Sequence, residues 1–129
     1  MTTKQLKELV GKAQSYERSL IWLEKVTKLE AHIKEMERLG VEDEWLQEQT
    51  NELKVQRARM QHLRITGQLA HERLEQIMGE ITNDYIYQIL SRHFLLKQTW
   101  GQIALAIGGG NSADSIRKTA VRYLAKIEL

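Results

Sequence analysis

Arg117, Lys118, Arg122 and Lys126 gather four cations near the end of the chain. The segment just before them, Asn111-Ser112-Ala113-Asp114-Ser115, is short, polar and free of bulk. Guanidinium and ammonium groups anchor phosphates, and small polar side chains at a helix start can reach base edges. Those residue types in that order suit a helix laid in the major groove of DNA. The plainer alternative is a surface helix whose cations only keep it hydrated.

Other chemistry finds less support. His32, His62, His71 and His93 show no ligand spacing with a partner acid. His62 and His71 lie nine apart on one expected helix, too far to share a metal. The carboxylates alternate with Lys and Arg along the helices, as solvated faces do. Gly108-Gly109-Gly110 lacks the following Lys-Ser/Thr of a phosphate loop. With no cysteine, neither a thiolate nor a disulfide is available. The expectation is a non-enzyme with no catalytic residue, no metal ligand and no cofactor.

The elements that must position the cations can be read from local signals. Thr99 and Gln102 form a capping box that opens one helix. Ile103 and Ile107 give that helix an apolar side, and Ala104 and Ala106 leave room for a close neighbour. The three glycines stop it, since glycine takes the left-handed conformation that a C-terminal cap needs. Asn111 or Ser112 caps the next helix, and Asp114 in its first turn suits the positive end of the dipole. Ile116, Ala120 and Tyr123 or Leu124 form its inward stripe. A third helix from about Tyr85 to Leu95, capped by Ile81-Thr82-Asn83-Asp84, supplies Ile86, Ile89, Leu90 and Phe94 to a shared core. The aromatics Tyr85, Tyr87, Phe94, Trp100 and Tyr123 read as that core and not as base-stacking platforms.

Asp84-Tyr85 through Leu124, with Ile89-Leu90-Ser91-Arg92 followed by Thr99-Trp100-Gly101-Gln102-Ile103-Ala104, resembles the helix-turn-helix of sigma-70 region-four-like proteins. It is especially similar to small phage and prophage transcription regulators of the ArpU/RinA kind. Arg92, Phe94, Trp100, Ile103 and Ala104 occupy the matching positions, and the stretches Asn111 to Lys118 and Arg122-Tyr123-Leu124 also look like that group. The resemblance covers the last third of the chain. It implies binding to double-stranded DNA and recruitment or modulation of host RNA polymerase, without a second sigma-like region to melt a promoter. The separation of Gly108 from Ile116 exceeds that of a standard helix-turn-helix, so a longer turn is expected.

Of the 129 residues, none is proline, which permits long uninterrupted helices. The net charge of +2 conceals an asymmetry: residues 1–80 hold 13 Lys/Arg against 14 Asp/Glu, and residues 81–129 hold 6 against 3. The positive surplus thus sits with the candidate DNA reader, as counterion-release binding requires. It is small, so one copy should bind weakly. No stretch approaches the roughly 18 apolar residues of a membrane span, and the start lacks the apolar run of a signal peptide. A cytoplasmic protein with no membrane partner is expected.

The first 80 residues carry heptad-like stripes. Leu6, Leu9, Ala13, Tyr16, Leu20 and Leu23 alternate at threes and fours, and the stripe then slips by one to Val26, Leu29, Ile33 and Met36. Gly40 ends this helix, and Glu42 and Asp43 mark an acidic restart. From Trp45 to about Ile81, Leu46, Leu53, Met60, Gly67, Leu74 and Ile81 recur every seven residues, with Gln49, Gln56, Leu63, Ala70 and Ile77 at the other seam position. Gln49, Gln56 and Gly67 weaken that seam. Two such helices joined by a short turn make an antiparallel hairpin. Its excess apolar surface, including Ile21, Trp22 and Trp45, suggests pairing between chains through Leu20, Leu23, Leu46, Leu53, Met60 and Leu63, with a dimer favoured. The alternative is that the stripes pack back on the C-terminal domain of the same chain.

The reading is therefore all-α: a coiled-coil-like hairpin over 1–80, then a three-helix helix-turn-helix domain over 81–129. The expected function is a sequence-specific transcription regulator of phage or prophage type. Asn111, Ser112, Ala113, Asp114, Ser115, Arg117 and Lys118 would lie in or beside the groove, and Arg122 and Lys126 on phosphates. A small terminase-like DNA packaging protein and a helical adaptor for a protein partner are the alternatives.

Overall fold

Two 37-residue helices, α1 (Thr3–Leu39) and α2 (Asp43–Gly79), occupy the first part of the chain. The computed structural model describes residues 1–128, and no strand occurs among them. A capping box opens α1: the amide of Gln5 donates to Thr2 Oγ1 at 3.1 Å, and the amide of Thr2 donates to Gln5 Oε1 at 2.7 Å. Gly40, at φ 75°, closes the helix in a Schellman motif. Its amide donates to the carbonyl of Glu37, and that of Val41 to the carbonyl of Met36. Asp43 and Glu44 then place negative charge in the first turn of α2.

The hairpin is antiparallel, because partners that advance along α1 retreat along α2. The Arg59 guanidinium lies 4.7 Å over the Trp22 ring, Glu30 pairs with Arg57 at 2.8 Å, and the His32 ring meets Trp45 edge-on at 5.6 Å. The chain divides into two compact units, Lys12–Leu69 and Met1–Gly11 together with Ala70–Leu129.

In the Lys12–Leu69 unit the core is a thin seam of Val26, Ile33 and Leu53, flanked by Leu29, Leu46 and Met60. Leu46, Leu53 and Met60, expected on an oligomerisation surface, thus lie inside the seam of one chain. Leu63 is half-buried, while Leu20 and Leu23 are 52% and 47% exposed. The stripe slips earlier than its spacing predicts, since Ser19 is buried where Leu20 was expected. Ser19 stays satisfied by donating its hydroxyl to the carbonyl of Tyr16. Gly67 does not weaken the seam but makes it possible: a Cβ there would sit 2.3 Å from the backbone nitrogen of Tyr16 and 2.9 Å from the carbonyl oxygen of Lys12. The two backbones touch because no side chain stands between them.

The other unit holds the shorter helices. They are α3 (Asp84–Leu90), which runs on into a π-helical turn at Ser91–Leu95, α4 (Trp100–Ile107) and α5 (Ala113–Leu124). Asn83 caps α3 by accepting the amide of Ile86 at 3.2 Å. The helix expected to run to Leu95 widens at its last turn, where the amide of Leu96 reaches the carbonyl of Ser91 at 3.1 Å. Ile89, Leu90, Phe94, Ile103, Ala104, Ile116, Ala120 and Leu124 make one core, which Leu6 and Val10 from the start of α1 complete. The unit that carries the candidate reader therefore includes both ends of the hairpin sequence.

Candidate nucleic-acid interface

The reader begins with its turn. Thr99 caps α4 with the expected box: its Oγ1 accepts the amide of Gln102 at 3.1 Å, and Gln102 Oε1 accepts the amide of Thr99 at 2.9 Å. Gly108, Gly109 and Gly110 follow at φ 73°, 70° and 75°. Three successive left-handed residues are strained for any L side chain, which is why glycine fills all three. The turn runs from Gly108 to the cap residue Ser112, so it is long, as the spacing predicted.

Asn111 locks this turn. Its Nδ2 donates to the carbonyl of Gly108 at 2.8 Å, and its Oδ1 accepts the Tyr85 hydroxyl at 3.1 Å. Both ends of the amide are thereby used inside the fold. Ser112 and Ser115 form a second capping box. Ser112 Oγ accepts the amide of Ser115 at 3.1 Å, and Ser115 Oγ accepts the amide of Ser112 at 3.1 Å while donating to its carbonyl at 2.9 Å. Of the residues expected at DNA, Asn111, Ser112 and Ser115 thus shape and cap α5.

The inward stripe of α5 is Ile116, Ala120 and Leu124, at 0, 1 and 0% exposure. With these fixed, helical geometry turns Asp114, Lys118 and Arg122 outward, and Arg117 with Val121 to one flank. All five are exposed, as are Ala113 and, just beyond the helix, Lys126. Asp114 holds two of the cations: its carboxylate meets Lys118 at 2.9 Å and Arg117 at 3.0 Å. Those bonds, Lys118's first, hold its carboxyl below the usual carboxylate range. Arg122 points its Nε back to the carbonyl of Lys118 at 3.4 Å, leaving its remaining guanidinium donors to solvent.

A groove of about 340 Å³ opens along the Arg117 flank. Its floor is aromatic: the His93 and Trp100 rings stack 3.5 Å apart at 12°, with Phe94 edge-on to both. His93 Nδ1 meets the carbonyl of Gln98 at 2.7 Å. Burial, aided by the nearby Lys7 ammonium, outweighs that bond and holds the imidazole pKa below its ordinary value. Across the groove stand Lys4 and Lys7 of α1. Nothing in the sequence singles these two out, because their charge falls within the first long helix. Regrouping the charges by unit does not single them out either, because the surplus of the unit is smaller than that of residues 81–129. Met1–Gly11 with Ala70–Leu129 holds 9 Lys/Arg against 7 Asp/Glu, and Lys12–Leu69 is balanced at 10 against 10.

Among the described residues no three His, Asp or Glu side chains converge as a metal site. Among the described residues no helix is long and apolar enough to cross a membrane. No family model, curated protein or solved structure matches this chain.

Proposed function

We propose that the chain is a sequence-specific, double-stranded DNA-binding transcription regulator that lays α5 in the major groove. The observation that carries this reading is the division of labour on α5. One side is wholly buried on a packed core, the start is fixed by a capping box, and the other side offers Arg117, Lys118 and Arg122 around Asp114. A rigid, capped helix with a cationic outer side is what phosphate anchoring and base-edge contact both require. Ala113, Asp114, Arg117 and Lys118 are the base-facing set, and Arg122 and Lys126 hold phosphates. Asn111, Ser112 and Ser115 position them. The resemblance to phage and prophage regulators adds host RNA polymerase as the protein partner, and the modest positive surplus favours a dimer on DNA.

The test is the double variant Arg117→Ala/Lys118→Ala. Both side chains are exposed, so helicity and melting should match the parent. Protection of a duplex selected from a random pool should fall at least tenfold, the loss of two charged contacts of about 1 kcal/mol or more each. A variant that binds the selected duplex like the parent would overturn the assignment of α5. A parent showing no salt-sensitive DNA binding would point instead to an adaptor.

A further inference from the structure

The groove beside Arg117 joins parts of the chain that are far apart in sequence. Lys4 and Lys7 lie one turn apart on α1, Arg117 and Val121 one turn apart on α5, and the His93–Trp100 stack forms the floor between them. No carboxylate lines it. Arg117 has its partner in Asp114, whereas Lys4 and Lys7 form no ion pair among the described residues. The floor supplies no counter-charge either, since His93 sits between a carbonyl and an aromatic face. Lys4 and Lys7, uncompensated beside an Arg117 already shared with Asp114, make the hollow electropositive.

We propose that this groove takes a backbone phosphate of duplex DNA, so that the first turns of α1 clamp the strand flanking the groove that receives α5. The inference rests on the DNA-binding reading and extends it to residues outside the helix-turn-helix. Val121 beside the Trp100 floor offers an apolar surface that suits the sugar next to the phosphate, and Lys4 and Lys7 supply ammonium donors to the phosphate oxygens. Contacts of this kind set the register of α5 on the duplex and carry no base preference of their own.

The experiment compares the full chain with Lys4→Gln/Lys7→Gln, Lys4→Arg/Lys7→Arg and Arg117→Ala/Lys118→Ala. Each binds a selected and a random duplex between about 50 and 200 mM salt. Each phosphate contact contributes a salt slope of about 0.9. The Gln pair should therefore lose about 0.9 of slope, and lose affinity equally, about tenfold, on both duplexes. The Arg pair should keep the parent's slope, which separates charge from any structural effect. A Gln pair with the parent's slope, beside an α5 variant that no longer binds, overturns the clamp and leaves the DNA reading standing. A parent that binds neither duplex overturns both. Inorganic phosphate that shifts the tryptophan fluorescence of the parent but not of the Gln pair, while the duplex slope is the same in both, marks a small-anion site and also overturns the clamp.

Discussion

The two units of this chain solve burial differently. In Met1–Gly11 with Ala70–Leu129, ten buried residues from several helices surround one another. In Lys12–Leu69 two parallel-sided helices share one stripe, and Leu20, Ile21, Leu23, Val55, Ile65 and Leu69 remain 47 to 77% exposed. A helix packed on neighbours from several directions buries a wide arc, and a helix with one neighbour buries a narrow one. The reader is thus rigid by its side chains. The hairpin is held by length and by backbone contact at Gly67, and it keeps an apolar surface available.

That contrast predicts where substitutions hurt. The largest effect is expected for Ile116→Ala, which opens a void under α5 at a wholly buried position and should cost about 2–5 kcal/mol in urea unfolding. Leu20→Ala, on a half-exposed side chain, should stay within about 0.5 kcal/mol. Equal losses would break the contrast. A Leu20→Ala loss that grows with protein concentration would sharpen it, by showing that a second copy covers the hairpin.

Next come the glycines. Gly67→Ala gains about 0.5–1 kcal/mol of helix propensity but drives a methyl group into the backbone of α1. Overpacking of about 1–3 kcal/mol wins, so the midpoint should fall. Gly11→Ala faces open space, keeps only the propensity gain, and should raise it. If both raise the midpoint, close backbone approach is not what holds the hairpin.

The smallest effect is a pH dependence confined to the reader. The folded pKa of His93 is depressed, so the unfolded chain takes up its proton first as the pH drops. Stability from the neutral ring is full above the unfolded value, about 6.5, and is lost as the pH falls through the folded value. His93→Gln should flatten the stability profile below about pH 6.5. A parent that grows more stable across that window would contradict the burial of the ring.

Much of the fold was legible because its signals are local. Thr99 with Gln102, Asn83 and Gly40 each act within four residues of themselves and sit where their chemistry predicted, and Ser112 is the one of two candidates, Asn111 or Ser112, that caps α5. The heptads of α2 likewise identified Leu53 as a seam position. The site was only half legible. Arg117, Lys118 and Arg122 follow from helical phase. Asn111 and Ser115 carry the same polar groups, and whether these face outward or serve the turn depends on Tyr85 and on the cap.

The sequence by itself determined where the helices lie, the caps at Thr99 and Gly40, the left-handed glycine turn and the cationic side of α5, since all of these arise between residues a turn or two apart. Only tertiary structure decided that Ser19 and not Leu20 enters the seam, that Gly67 is required by a backbone facing it, and that Lys4 and Lys7 stand beside Arg117. Those outcomes depend on how helices distant in sequence approach, and periodicity along one helix carries no record of the neighbour that will pack against it.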